Sequence, residues 1–289
     1  MHVLFVTSEA FPLIKTGGLA DVSGALPKAI KSAASFNGDI KVLLPAYRGV
    51  LSKLTAVKEV ASIEALKQSC TLFSGYLPDS DVEVIAIKND VLYDRAGGPY
   101  TDESGADWID NALRFGVLSR VASLLSKQDS PLNWQPDIVH CNDWQTGLTP
   151  AYMKLVDQVP VKSIFSIHNM AYQGNFDVNV ISQLELPAQH FNMNGFEFYQ
   201  QLSFMKAGLF YADQLSTVSP TYAKEIQTVH YGFGLQGLLK TRAEQLTGIL
   251  NGIDTQDWNP ATDSHLIKPY SDKNITGKKA VKKALQQQL

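Results

Sequence analysis

Short apolar runs recur along the chain, each followed by a polar tip and then by apolar positions at helical spacing. His2-Val3-Leu4-Phe5-Val6-Thr7 is the first, with the near-continuous apolar character of a strand buried on both faces. Beyond it, Leu19, Val22, Ala25, Leu26, Ala29 and Ile30 share one helical face, so the pattern predicts a strand, a turn and a helix. Residues 40–45 predict a second strand, ended by its proline. The rhythm breaks over residues 56–88. There 56–60, 71–77 and 82–87 read as short strands with only a short helical candidate among them, an antiparallel excursion whose last strand rejoins the main sheet. Residues 89–107 read as a turn-rich loop and 108–125 as a long helix.

The next unit is a strand over 136–141, closed by Asn142-Asp143-Trp144 and continued by a helix over 148–156. Residues 161–167 repeat the design and end in His168-Asn169, followed by an irregular segment over 170–175. A helix over 204–211, a strand over 214–218, a helix start at Ser219-Pro220 and a last strand over 246–250, ending in Asn251-Gly252, complete the pattern. Such alternation predicts an α/β fold with a doubly wound, mostly parallel, Rossmann-like sheet, helices on both faces and right-handed crossovers. In sheets of this kind ligands bind beyond the carboxyl ends of the strands. The tips Lys15-Thr16-Gly17-Gly18, Asn142-Asp143, His168-Asn169 and Asn251 all fall at such ends and should converge on one cleft.

Composition narrows the classes of partner. The 289 residues carry 25 Lys and Arg against 28 Asp and Glu, a net charge of −3, which argues against general attraction to nucleic acid or anionic membrane. The 2 cysteines form neither a disulfide framework nor a zinc cluster, so a reducing compartment, the cytoplasm, is the expectation. No leader pattern opens the sequence and no apolar run is long enough to cross a bilayer.

The first tip has the chemistry of an anion cradle. Gly17 and Gly18 remove Cβ atoms that would keep a ligand from the backbone, Lys15 adds a mobile cation, and the helix N-terminus adds roughly half an elementary charge. The same pair of glycines also fits a tight turn with a solvated lysine. Asp143 can orient a sugar hydroxyl beside the apolar face of Trp144, or cap a helix. His168 can hydrogen-bond a polar ligand or be satisfied within its loop, and Asn169 and Asn251 also suit plain turns. Tyr93-Asp94-Arg95 sits in a loop that can cover a site, or presents a solvated ion pair. Tyr47, Trp134 and Phe196 can stack on sugars or fill the core. His140 and Cys141, adjacent on a strand, point to opposite faces and make no nucleophile pair. No metal-ligand spacing, Gly-x-Gly-x-x-Gly or Walker loop occurs, so no metal and no cofactor is expected, and a dehydrogenase or P-loop enzyme is disfavoured.

Ser8-Glu9 followed by Lys15-Thr16-Gly17-Gly18-Leu19-Ala20-Asp21-Val22 resembles the opening of bacterial glycogen synthases and plant starch synthases. His140-Cys141-Asn142-Asp143-Trp144, the run from Ser166 to Gly174, Val218-Ser219-Pro220-Thr221-Tyr222-Ala223 and Gly248-Ile249-Leu250-Asn251-Gly252-Ile253-Asp254 extend the resemblance to about residue 260. It implies a retaining, metal-independent glycosyltransferase with two Rossmann-like domains, passing glucose from ADP-glucose to the non-reducing end of an α-1,4-glucan.

Carried over by resemblance, Lys15 and the amides of Gly17 and Gly18 meet the donor phosphates, and Asp21 lines the cleft beside them. His168, with its backbone carbonyl, and Asn251 contact the transferred glucose; Asn169 belongs to the same tip; Asp143 and Tyr93 shape the glucosyl and acceptor site. The family continues with a second domain that holds the nucleotide. Residues 1–260 then read as the acceptor-side domain and 261–289 as a linker and the start of that C-terminal domain, which this chain lacks, so the chain alone is expected to be inactive. A non-catalytic glucan-binding module, or a related transferase using UDP-glucose, is the alternative.

Overall fold

The computed structural model describes residues 1–255 and 258–289. Continuous burial over the first strand follows from its composition: in β1 (His2–Val6), Leu4, Phe5 and Val6 are fully buried although successive side chains face opposite sides, so both faces of the sheet are covered at this point. The remaining strands of the main sheet are β2 (Asp39–Pro45), β3 (Thr55–Ala65), β4 (Gln68–Tyr76), β5 (Glu83–Lys88), β6 (Ile138–Asn142) and β7 (Lys162–Ile167). A small separate sheet uses β8 (Asn175–Phe176), β9 (Glu197–Phe198) and β10 (Gln201–Ser203), after which β11 (Gln214–Thr217) and β12 (Leu246–Gly248) rejoin the large one.

Among the described residues the large sheet has 9 strands in the order β12-β11-β7-β6-β1-β2-β5-β4-β3. All its pairings are parallel except β4 with β3 and with β5. The mostly parallel doubly wound reading therefore holds, and the antiparallel excursion rejoins through β5, which pairs in parallel with β2. From β1 the chain proceeds outward to β2 on one side, whereas β6 and its successors lie on the other. The topological switch point is thus the crevice between β1 and β6, where a doubly wound sheet opens its ligand cleft.

Two local expectations need correction. The helical candidate after residue 60 is strand: β3 runs on to Ala65 and turns back through Leu66 and Lys67, both at positive φ (52° and 59°), the handedness that matches the twist of a two-residue hairpin. β3 is the sheet's outer strand, largely exposed, with Lys58, Glu59 and Glu64 and two register irregularities along it, devices that discourage edge pairing. The helix over 148–156 is split into an α-helical turn (Leu148–Ala151) and a π-helical turn (Tyr152–Val156). The long helix occupies Asn111–Leu125 and is buried almost all round, as its apolar residues on every face require.

The first helix, α1 (Gly18–Ser32), follows β1 as expected. The chain divides into a unit of Met1–Leu250, which contains the sheet, and a unit of Asn251–Leu289, whose described residues include the helix Thr276–Gln288. No described helix is long and apolar enough to cross a membrane.

Candidate active site at the strand tips

The loop after β1 is organised by a residue outside the expected site set. Glu9 is 3% exposed, and its carboxylate accepts hydrogen bonds from the backbone amide of Thr16 (2.6 Å), the Thr16 hydroxyl (2.9 Å), the amide of Gly17 (3.3 Å) and the hydroxyl of Tyr100 (2.7 Å). A buried carboxylate so supplied with donors is compensated, and it fixes the loop that carries Lys15. Lys15 itself is exposed and paired with Asp21 through both carboxylate oxygens, at 2.6 and 2.8 Å. Both side chains are nearly half exposed, so this pair is worth well under about 1 kcal/mol and is readily exchanged for another anion.

Gly17 caps α1 at φ −150°, an extended conformation open to any residue, and a Cβ on either Gly17 or Gly18 would meet nothing within 4 Å. Neither backbone strain nor packing accounts for the two glycines. The space above them is open to a ligand. Gly18, as the first helical residue, has no intrahelical partner for its amide, whereas the amide of Gly17 is already engaged by Glu9.

At the tip of β6, Asn142 is 1% exposed and directs its amide nitrogen to the carbonyl oxygens of Val6 (3.1 Å) and His140 (3.2 Å), tying β6 to β1. Its amide oxygen lies 3.1 Å from Nε2 of His168. Asp143 follows at φ 60° and ψ 179°, a region that side chains other than glycine's rarely occupy and that costs about 1–3 kcal/mol. It is 6% exposed, and its Oδ1 is buried without a hydrogen-bond partner. Burial pushes its carboxyl up to about 7, the backbone amides of His168, Asn169 and Trp144 draw it down, and the nearby Glu9 pushes it up again. Its backbone amide donates to Ser166 of β7. Asp143 does not cap the following turn with its side chain, so the helix-cap reading does not apply.

His168, at the tip of β7, is half-buried, and burial lowers its basicity to about 4. His140 is likewise lowered to about 4, by burial and then by His168, with its Nε2 2.6 Å from the Ser166 hydroxyl. Cys141 is fully buried, with its thiol pushed far up by burial.

The sheet therefore brings Lys15, Gly17, Gly18 and Asp21 after β1 to the same end as Asp143 and His168, with Glu9 and Asn142 as the joints between them. Asn169 is exposed at that tip, and its side chain accepts the amide of Ala171 (3.0 Å), the bond of a local turn. Asn251 is exposed and opens the second unit. Tyr93 is elsewhere in character: it is 1% exposed, stacked edgewise on Tyr47, and its hydroxyl donates to the carbonyl of Arg114 at 2.7 Å. Arg114, also buried, holds the 89–107 loop from within by donating to the carbonyls of Leu92 and Pro99. Trp144 packs on Phe115, Phe176 and Phe204 and against Gly174, so its indole is part of the core rather than an open sugar platform. Tyr47 and Phe196 are core residues too, and Trp134 is half-buried between the His2 ring and the Lys41 ammonium.

Glu9 was visible as half of a Ser8-Glu9 pair, yet its partners are the amides of Thr16 and Gly17 and the hydroxyls of Thr16 and Tyr100, which no local side-chain pattern links to it. Asn142 was part of a recognised tip, but its link to His168 is a contact between strands.

The family model described as the starch synthase catalytic domain matches residues 2–241 of this chain. The glycogen synthase of Nitrosomonas eutropha is 50% identical over 292 residues, covering 99% of this chain and 58% of that protein. That of Paramagnetospirillum magneticum is 50% identical over 294 residues, covering 100% and 59%. Among solved structures, the catalytic domain of starch synthase IV from Arabidopsis thaliana, bound to ADP and acarbose, superposes with a TM-score of 0.82 at 28% identity, covering 100% of this chain and 59% of that one. The chain thus spans somewhat under three-fifths of the length of these relatives.

Proposed function

The chain belongs to the family of the starch synthase catalytic domain, and from that premise we propose that it forms the acceptor-side part of a retaining glucosyltransferase. The reaction passes glucose from ADP-glucose to the non-reducing end of an α-1,4-glucan. The observation that carries this reading is the convergence of an open, doubly glycine loop bearing Lys15 with Asp143 and His168 at the switch point of one parallel sheet. The ADP and acarbose of the Arabidopsis relative support a nucleotide donor and an oligosaccharide acceptor.

In this mechanism Lys15 leaves Asp21 for the donor diphosphate, and the exposed ion pair makes that exchange inexpensive. Lys15 and the amide of Gly18, with the α1 N-terminus behind them, then stabilise the charge that develops on the departing diphosphate. Glu9 keeps the loop at the height where those donors reach the ligand. His168 is neutral above about pH 5 and meets the transferred glucosyl unit without adding positive charge to it. Asp143, at a strained backbone position beside the His168 tip, receives a sugar hydroxyl on its carboxylate. The part of the relatives beyond this chain supplies the other wall of the cleft and the contacts to the base, which is where ADP-glucose is told from UDP-glucose.

Calorimetric titration with maltooligosaccharide tests the reading on the chain itself. We expect binding that Asp143→Asn weakens about tenfold, the worth of one sugar hydrogen bond, and that Lys15→Ala leaves unchanged. Absence of binding by the folded chain overturns the acceptor-side assignment.

A further inference from the structure

Asn142 is buried at the point where β1, β6 and β7 end together, and its register partner on β7 is Ser166. The two ends of its amide are distinguishable by what they face. One end lies 3.1 Å from the Val6 carbonyl oxygen and 3.2 Å from that of His140. Both are acceptors only, so the nitrogen belongs there, and turning the amide over would set oxygen against two oxygens. Oδ1 is then the atom 3.1 Å from Nε2 of His168, and since Oδ1 only accepts, Nε2 must carry a proton.

A neutral imidazole has one ring proton to place. With that proton on Nε2, Nδ1 is a bare lone pair. Among the described residues Nδ1 has no hydrogen-bond partner, nor is it one of the buried orphan atoms of the chain. We infer that Asn142 is a positioning residue that holds the proton of His168 on Nε2 and so presents Nδ1 as an acceptor for a sugar hydroxyl. The sugar part of this assignment rests on the function proposed above; the tautomer does not.

The consequence is a restriction on chemistry. Held this way, His168 takes a hydrogen bond from its ligand and gives none from Nδ1, so it is not the proton donor to a leaving diphosphate. Burial works in the same direction by lowering its basicity to about 4, which keeps the ring neutral. The titratable groups around it are His140 and Asp143 from the β6 tip and Tyr222, which bonds the amide of Met170 from the helix Pro220–Glu225.

The test is a long-range ¹H–¹⁵N correlation spectrum of the histidine rings in the 289-residue chain, with the His168 signals identified by their loss in His168→Gln. In the unsubstituted chain we expect a neutral ring protonated on Nε2 at pH 7 and still neutral at pH 5. Asn142→Asp keeps the acceptor but adds a negative charge, so the tautomer should persist while the protonation midpoint rises by about 1–3 pH units. Asn142→Leu removes the acceptor, and the Nε2 preference should give way to a mixture of tautomers. A ring protonated on Nδ1, or doubly protonated, at pH 7 in the unsubstituted chain overturns the proposal without recourse to any variant, as does an unchanged tautomer in a folded Asn142→Leu chain. Failure of the chain to bind glucan would leave these spectra untouched, so the two readings fail separately.

Discussion

Asp143 bears two penalties at one residue, a backbone in glycine's territory and a buried carboxylate oxygen without a partner. The charge of that buried carboxylate should be recoverable as stability. At pH 8 the carboxyl, raised to about 7, is ionised inside the fold, so Asp143→Asn should stabilise the chain by on the order of 2–4 kcal/mol in thermal unfolding. Below about pH 7 the folded state holds a proton that the unfolded state, near 3.8, releases, and the gain should shrink as the pH falls. His140 and His168 act in the opposite sense. Each takes up a proton near 6.5 when unfolded but only near 4 in the fold, so between those values acid favours unfolding. Two groups against one predict that stability falls as the pH drops through this window, and more steeply in Asp143→Asn than in the parent. A flat profile between pH 6.5 and 4 would contradict the burial of the two imidazoles. At this scale the sequence marks Asp143 and His168 through their position after apolar runs. The packing of Tyr93 and Trp144 is not legible in it, because an aromatic beside a strand end reads alike whether it faces solvent or, as here, Arg114 and a cluster of phenylalanines.

Glycines separate structural from ligand-facing loops at the scale of the element. Gly174 has φ 57°, and a Cβ there would lie 2.1 Å from the Trp144 ring, so Gly174→Ala should cost about 1–3 kcal/mol in denaturant unfolding. Gly17→Ala should change stability by no more than about 0.5 kcal/mol, and Gly18→Ala, at a helix start, should be neutral or stabilising by up to about 1 kcal/mol. If either of these two unfolds the chain, the open space above the loop is not what it has been taken to be. The strand-loop-helix unit around them was readable because an apolar run, a pair of glycines and a helical face follow one another without interruption. The extent of β3 was not. An edge strand with one face in water carries charges and irregular register, and its alternation dissolves into what looks like a short helix.

Order in the sheet decides what the whole molecule can do. Alternating strands and helices announce a doubly wound sheet, but only the pairing of β1 with β6 as well as β2 reveals which tips share a crevice. That crevice gathers a cation, the open amide of Gly18, a strained acid and a neutral imidazole along one wall. We attribute the facing wall to the portion of the relatives that extends beyond this chain's 58–59% share of their length. Transfer of labelled glucose from ADP-glucose to glycogen is the measurement that bears on this most directly, made with the 289-residue chain alone and with the same chain joined to the C-terminal portion of one of its curated relatives. The account predicts no transfer by the chain alone and transfer by the fusion, reduced at least about a hundredfold by Lys15→Ala through loss of charge stabilisation on the leaving diphosphate. Transfer by the chain alone, or a folded, active fusion indifferent to Lys15→Ala, would contradict it.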